Sequence, residues 1–159
     1  IRKAKLSDAQ DIARLYFEFW KVHNNYDPLL LLKKRQDYLT ELESARKNIL
    51  KKNSLILVAE CKLGVCSYLH ILFKKNDAIF KVGNYAYFDA IVTNTKFRQM
   101  GIARKLIQAG IKAVRLTGIK YIRTNIYNSN LIAITMVKKL GFIPLSTIFV
   151  KKIRKIDQY

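Results

Sequence analysis

Cysteine, proline and histidine are all scarce here, two of each in 159 residues, and tryptophan occurs once. Cys61 and Cys66 form a C-x4-C pair around Lys62-Leu63-Gly64-Val65, with His23 and His70 far from any zinc-finger spacing. Buried or half-buried free thiols are the expectation, and no metal. A chain this long buries roughly two thirds of its unfolded surface, so it needs no staples. The few prolines and glycines leave no low-complexity linker. No apolar run approaches the roughly 18 residues a membrane span needs, and residues 1–6 lack a signal peptide's apolar block. One soluble, cytoplasmic domain spanning 1–159 is expected.

Acids are the other shortage: 11 against 30 Lys+Arg, for a net charge of +19. From residue 91 onward 14 basic residues face one acid, Asp157, whereas the first ninety residues hold 16 basic and 10 acidic. The second half therefore sits in a positive field that draws anions. No basic run is interleaved with aromatics as a single-strand groove requires, so nucleic acid is disfavoured and a phosphate-bearing ligand preferred. Lys151–Lys155 reads as a solvated tail.

What is present is globular: 50% hydrophobic and 26% charged residues. Residues 1–6 alternate as a short strand would. Ser7 and Gln10 give a capping-box signature opening a helix with Ile12, Leu15, Tyr16 and Phe19 inward. A second helix is predicted over roughly 34–52, then strands over 54–59, 65–74 and 85–92. A helix follows from Gly101 to Thr117, closed by Gly118. A strand over 121–127, a helix over 130–140 and a strand over 142–153 complete the chain. The order β-α-α-β-β-β-α-β-α-β predicts a mixed α/β sheet with helices on both faces.

The informative segment runs from Ile91 to Arg104. A strand enters a loop carrying Arg98, and a helix starts at Gly101 with small Ala103 in its first turn. Helix starts expose unpaired N–H groups and favour negative charge, so phosphate is the natural guest. Neither G-x-x-x-x-G-K-[ST] nor G-x-G-x-x-G occurs, so the nucleoside triphosphate and dinucleotide fingerprints are missing.

Arg98-x-x-Gly101-x-Ala103 resembles the [QR]-x-x-G-x-[GA] signature of the GNAT N-acetyltransferase superfamily. Asn130-Leu131-Ile132-Ala133, followed by Lys139-Leu140-Gly141-Phe142, resembles that family's N-x-x-A…[KR]-x-G-F region. The resemblance implies an acyl-CoA N-acyltransferase fold, with a mixed central sheet of six to seven strands flanked by about four helices. It implies acetyl-CoA as cosubstrate and an amine acceptor, either a small molecule or a protein amine; dimers are common among relatives. The pantetheine arm would pair with the backbone of Ile91, Val92 and Thr93. The pyrophosphate would sit on the N–H groups of Gln99, Met100, Gly101, Ile102, Ala103 and Arg104, with Arg98 adding charge. Asn130 would hold the pantetheine, a role compatible with its being a helix N-cap. The Ile91 amide would face the thioester oxygen, which becomes anionic as the amine attacks. Gln99 replaces a common glycine, a departure read as minor.

Asp89 stands alone as an acid in an apolar strand, and a carboxylate so placed needs either hydrogen bonds or a task. An alkylammonium must lose a proton before it can attack, and the family often has an acid here that accepts it. The resemblance therefore makes Asp89 the candidate base, the alternative being a carboxylate that orients or pairs with a cationic substrate. The family's usual thiolate-protonating tyrosine is Val137 here, leaving water, Tyr127 or no acid for that step. Relatives build their acceptor pocket at the end of the first helix. The resemblance makes Trp20, Tyr26 and Asp27 the candidates there, through cation–π and ion-pair contact, with core packing the alternative for Trp20. A nucleic-acid-binding module on this fold and a non-catalytic CoA-binding regulator stay open as alternatives.

Overall fold

The β-branched and aromatic runs around residues 54–75 and 84–93 form the centre of a single five-stranded sheet. The computed structural model describes residues 1–23 and 38–151. Strands β1 (Arg2–Lys3), β2 (Ser54–Cys61), β3 (Gly64–Lys75) and β4 (Asn84–Thr93) pair antiparallel in succession. Strand β5 (Ile122–Thr124) adds to β4 in parallel. Helices α1 (Ala9–His23) and α2 (Tyr38–Leu50) separate β1 from β2, α3 (Ile102–Arg115) crosses from β4 to β5, and α4 (Leu131–Lys138) follows.

Both faces of the sheet are covered, which is why the middle of β3 is buried without alternation from Cys66 to Ile71. On one face Ile12, Ala13 and Leu15 of α1 and Leu42 and Ala45 of α2 pack on Val58, Tyr68, Ala90 and Val92. On the other, Leu106, Ile107 and Val114 of α3 pack on Leu69, Ile71, Ala86 and Phe88. Ala86 and Phe88 thus face α3, whereas Ala90 and Val92, of the same parity, face α1 and α2. A β-bulge explains the switch. His70 pairs with Ala90 and Ile71 with Phe88, leaving Asp89 as the extra residue.

Four helices and a mixed sheet match the expected architecture, but among the described residues the sheet has five strands rather than six to seven. The predicted strand over 142–153 does not form within 142–151. Pro144 lacks an N–H for a ladder, β5 offers only three residues of edge, and Ile143, Leu145, Ile148 and Phe149 stay exposed. The strand predicted over 121–127 shortens to β5, and that over 1–6 to β1. The Ser7–Gln10 capping box does not form. Instead Leu6–Asp8 makes a 3-10 turn and the Asp8 carboxylate accepts the Lys5 N–H at 2.7 Å. Cys61 is half-buried and Cys66 buried, both free thiols.

Candidate active site

Pairing between β4 and β5 covers only Ala86–Ile122, Tyr87–Arg123 and Phe88–Thr124, and the Thr124 hydroxyl donates to the Phe88 carbonyl at 3.0 Å. Beyond Phe88 the outer edge of β4 has no strand partner among the described residues. A cavity of about 120 Å³ lies there, walled by Asp89, Ala90 and Ile91 of β4 and by residues 124–127 after the parting. Helices α3 and α4 floor it through Ile107, Ala133, Met136 and Val137, and Phe19 of α1 reaches its rim.

The far end of β4 is held firmly. Ser67 Oγ donates to the Val92 carbonyl at 2.7 Å and lies 2.8 Å from Thr93 Oγ1. The Asn94 amide donates to the Cys66 carbonyl, and Asn94 Oδ1 accepts the Lys96 amide, starting a 3-10 turn over Thr95–Phe97. Arg98 folds back, its Nε donating to the Thr93 carbonyl at 3.2 Å. The chain then takes left-handed conformations at Gln99 (φ 64°) and Gly101 (φ 76°) before α3 begins. Such turns present successive N–H groups to one side, next to the positive end of a helix. Gln99, Met100, Gly101 and Arg104 are exposed there, and Ile102 and Ala103 are half-buried. Asn130 caps α4, its Oδ1 accepting the Ala133 amide at 3.2 Å, and it also lines the cavity.

Asp89 occupies a particular position. Its side chain is 36% exposed rather than buried, and Oδ2 lies 3.1 Å from Nδ1 of His70, which is 8% exposed. Nε2 of His70 lies 3.0 Å from Ser54 Oγ. Asp89 therefore has the hydrogen bond that a carboxylate in an apolar strand demands. It lines a second, smaller cavity as well, about 30 Å³, between the sheet and helices α1 and α2, with Tyr16, Glu41, Tyr68 and His70. That volume holds a water or two, not an organic amine. Burial, with the carboxylates of Glu41 and Asp89, pushes the Tyr16 phenol up. Burial chiefly holds the Tyr68 phenol far higher, and the same two cavity carboxylates and Tyr16 add to it. Both phenols are therefore donors at neutral pH and cannot serve as bases. The Tyr68 hydroxyl is fully buried and has no hydrogen-bond partner among the described residues.

Of the expected site residues, the structure gathers Asp89, Ile91 and Asn130 around one cavity, and Val92 to Arg104 follow from the end of β4 into the first turn of α3. Trp20 lies in an aromatic cluster with Tyr16 and Phe19, at ring distances of 5.6 and 5.7 Å. Tyr26 and Asp27 lie outside the described residues. Reading the sequence missed His70, Tyr68 and Glu41. A lone histidine inside the apolar run Tyr68–Phe73 was the available signal. Val137 lines the cavity as well. The described residues contain no cluster of three metal-ligating side chains and no helix long and apolar enough to cross a membrane.

No curated protein matches the chain. Among solved structures, the BH1408 protein from Bacillus halodurans, as a tetramutant, superposes with a TM-score of 0.83 at 17% identity. The match covers 96% of this chain and 98% of that one. The aminoglycoside N-acetyltransferase AAC(6')-Iy, solved with CoA, gives 0.76 at 14% identity, over 96% and 93%. The aminoglycoside acetyltransferase meta-AAC0020, from an uncultured soil metagenomic sample and solved with sisomicin, gives 0.70 at 15%, over 96% and 95%. These likenesses establish the fold. The family model for acetyltransferases of the GNAT type matches residues 10–142, taking in the parted strands, the left-handed loop and Asn130, and the chain belongs to that family.

Proposed function

We propose that the protein transfers an acetyl group from acetyl-CoA to a primary amine by direct attack, with Asp89 as the base. One observation carries this reading: the Asp89 carboxylate lines the cavity where β4 and β5 part. The residues present fit the cosubstrate. The Gln99–Arg104 turn offers backbone N–H groups to a pyrophosphate, and the unpaired edge of β4 offers backbone groups to the pantetheine amides.

Acetyl-CoA supplies an activated thioester. Asp89 takes a proton from the acceptor's ammonium, exposing the nitrogen lone pair. As the amine nitrogen bonds to the carbonyl carbon it sheds its second proton to solvent, and the C–S bond breaks to release the CoA thiolate. The Ile91 amide faces the oxygen on which charge develops. The larger share of the rate comes from alignment, since holding two reactants together lowers a barrier by several kcal/mol. Fold neighbours that are aminoglycoside acetyltransferases make amino sugars the first acceptors to try, with diamines and peptide N-termini beside them.

The test is acetyl-CoA-dependent release of free thiol across that panel, with Asp89→Asn as control. The expected result is release with one acceptor class and a loss of about 100-fold or more in the variant, acetyl-CoA affinity unchanged. A second reading, CoA binding without turnover, rests on Val137 in place of an acid. Tight CoA binding with no release across the panel would favour it.

A further inference from the structure

His70 of β3 and Ser54 of β2 have no place in the reading above, yet they form a chain ending on Asp89. Ser54 Oγ lies 3.0 Å from Nε2 of His70, and Nδ1 lies 3.1 Å from Asp89 Oδ2. The protons in this chain can be assigned from chemistry. A carboxylate only accepts, so Nδ1 carries a proton and donates it to Oδ2. In the neutral ring Nε2 is then an acceptor, and the Ser54 hydroxyl donates to it. Ser54 and His70 are both buried, so the bond between them is shielded from water.

The bulge gives this chain its purpose. Asp89 is the residue left over when His70 pairs with Ala90 and Ile71 with Phe88, so the ladder does not fix its side chain. It lines cavities on both sides of the strand, and without a restraint it could turn toward either. Resting on the acetyl-transfer reading, we infer that His70 is a positioning residue: its Nδ1–H, locked in that tautomer by Ser54, holds Oδ2 so that Oδ1 faces the acceptor amine. His70 does not itself take the amine's proton, since the nitrogen facing Asp89 already bears one. The proton travels from ammonium to Oδ1 and remains on the Asp89 carboxyl until product leaves.

Two conservative variants separate this role from simple packing. The amide nitrogen of Asn falls near the place of Nδ1, and that of Gln near the place of Nε2. His70→Asn therefore keeps the donor to Asp89, and His70→Gln keeps only a partner for Ser54. In His70→Gln, kcat should fall on the order of 10- to 100-fold, with KM for acetyl-CoA unchanged. In His70→Asn, kcat should stay within about threefold of wild type. Full turnover in the Gln variant, or equal loss in both, would overturn the inference. Asp89→Asn distinguishes the two levels: wild-type turnover there defeats the base reading, whereas an inactive Asp89→Asn beside a fully active Gln variant defeats only the role of His70.

A second readout needs no acceptor. The chain has two histidines, so imidazole ¹H–¹⁵N spectra of the wild type and the His70 variants identify the His70 ring. A protonated Nδ1 with an unprotonated Nε2 is expected, and a proton on Nε2 alone would overturn the assignment.

Discussion

Gly110 of α3 lies flat against Leu69 of β3: a methyl group on Gly110 would stand 2.6 Å from Leu69 Cδ2. It would also stand 3.0 Å from Phe88 Cζ and 3.2 Å from Ile71 Cδ1, all in the buried core under α3. Glycine in a helix interior costs about 1 kcal/mol against alanine, so its presence here reflects the close approach of helix to sheet. Gly110→Ala gains that propensity but overpacks the core by about 1–3 kcal/mol. A net loss near 1 kcal/mol is expected, lowering Tm by about 3 °C, and Gly110→Val should lose several times more. Leu69 and Phe88 also wall the larger cavity, so a drop in acetyl-CoA affinity should accompany the drop in Tm. Calorimetry on the two variants reads both quantities.

Acid stability should depend on the N-terminal corner. The Arg2 guanidinium donates to both oxygens of Asp8, at 2.7 and 3.0 Å, and the Lys5 amide donates a third bond. The Arg2 bonds, first, hold the Asp8 carboxyl below its ordinary value; burial opposes them and the Lys5 bond assists. A carboxyl depressed in the folded state stabilises the fold fully above its unfolded value, about 3.9, and loses that contribution as pH falls through the lower folded value. Asp8→Asn should therefore lower Tm at pH 7 by about 3 °C, with the gap to wild type closing below about pH 4. A constant gap from pH 7 to pH 3 would show that the carboxylate's charge plays no part.

Element types and the strand-loop-helix segment ahead of α3 are legible in the sequence because their signals are local. Gly101 and the apolar spacing of Ile102, Leu106, Ile107 and Val114 mark α3 within a few turns of chain. The bulge is not legible. It sits in Tyr85-Ala86-Tyr87-Phe88-Asp89-Ala90-Ile91-Val92, where both faces of the sheet are covered, so no alternation exists whose break could be seen. His70 escapes for a related reason: it and Asp89 are 19 positions apart and meet only through the register of β3 and β4. The strand expected over 142–153 shows the opposite failure, since its pattern is strand-like but β5 is too short to receive it.

The loop before α3 allows two opposed predictions. Gln99 holds φ 64°, a conformation that costs a non-glycine residue about 1–2 kcal/mol. Gln99→Gly should raise Tm by about 2 °C, the relief of strain being partly offset by a freer unfolded chain, and leave acetyl-CoA affinity unchanged. Gly101 holds φ 76°, and a methyl group there meets no protein atom within 4 Å. Any stability lost in Gly101→Ala therefore comes from backbone strain alone, and should lower Tm by about 3 °C. The same methyl would stand where an anion approaches the turn, so acetyl-CoA affinity should fall about tenfold. Wild-type affinity in Gly101→Ala would remove the pyrophosphate from this loop.

The leaving thiolate needs a proton source or none, and the cavity walls narrow the choice. Val137 lines the cavity and has no proton to give. Tyr127 lines the same cavity, across from Asp89 and Ile91, and is the phenol among its wall residues. If Tyr127 protonates the departing sulfur, Tyr127→Phe should lower kcat about tenfold with KM for acetyl-CoA unchanged, the signature of an interaction made only in the transition state. The loss should be smaller than that of Asp89→Asn, because a thiolate is a fair leaving group and an ammonium is no nucleophile. Restoring the phenol from the other wall supplies the decisive comparison. Val137→Tyr placed in the Tyr127→Phe background should recover most of the lost kcat, provided the added ring leaves acetyl-CoA affinity intact. Full activity in Tyr127→Phe would instead mean that the thiolate departs unprotonated, with solvent taking over after the C–S bond has broken.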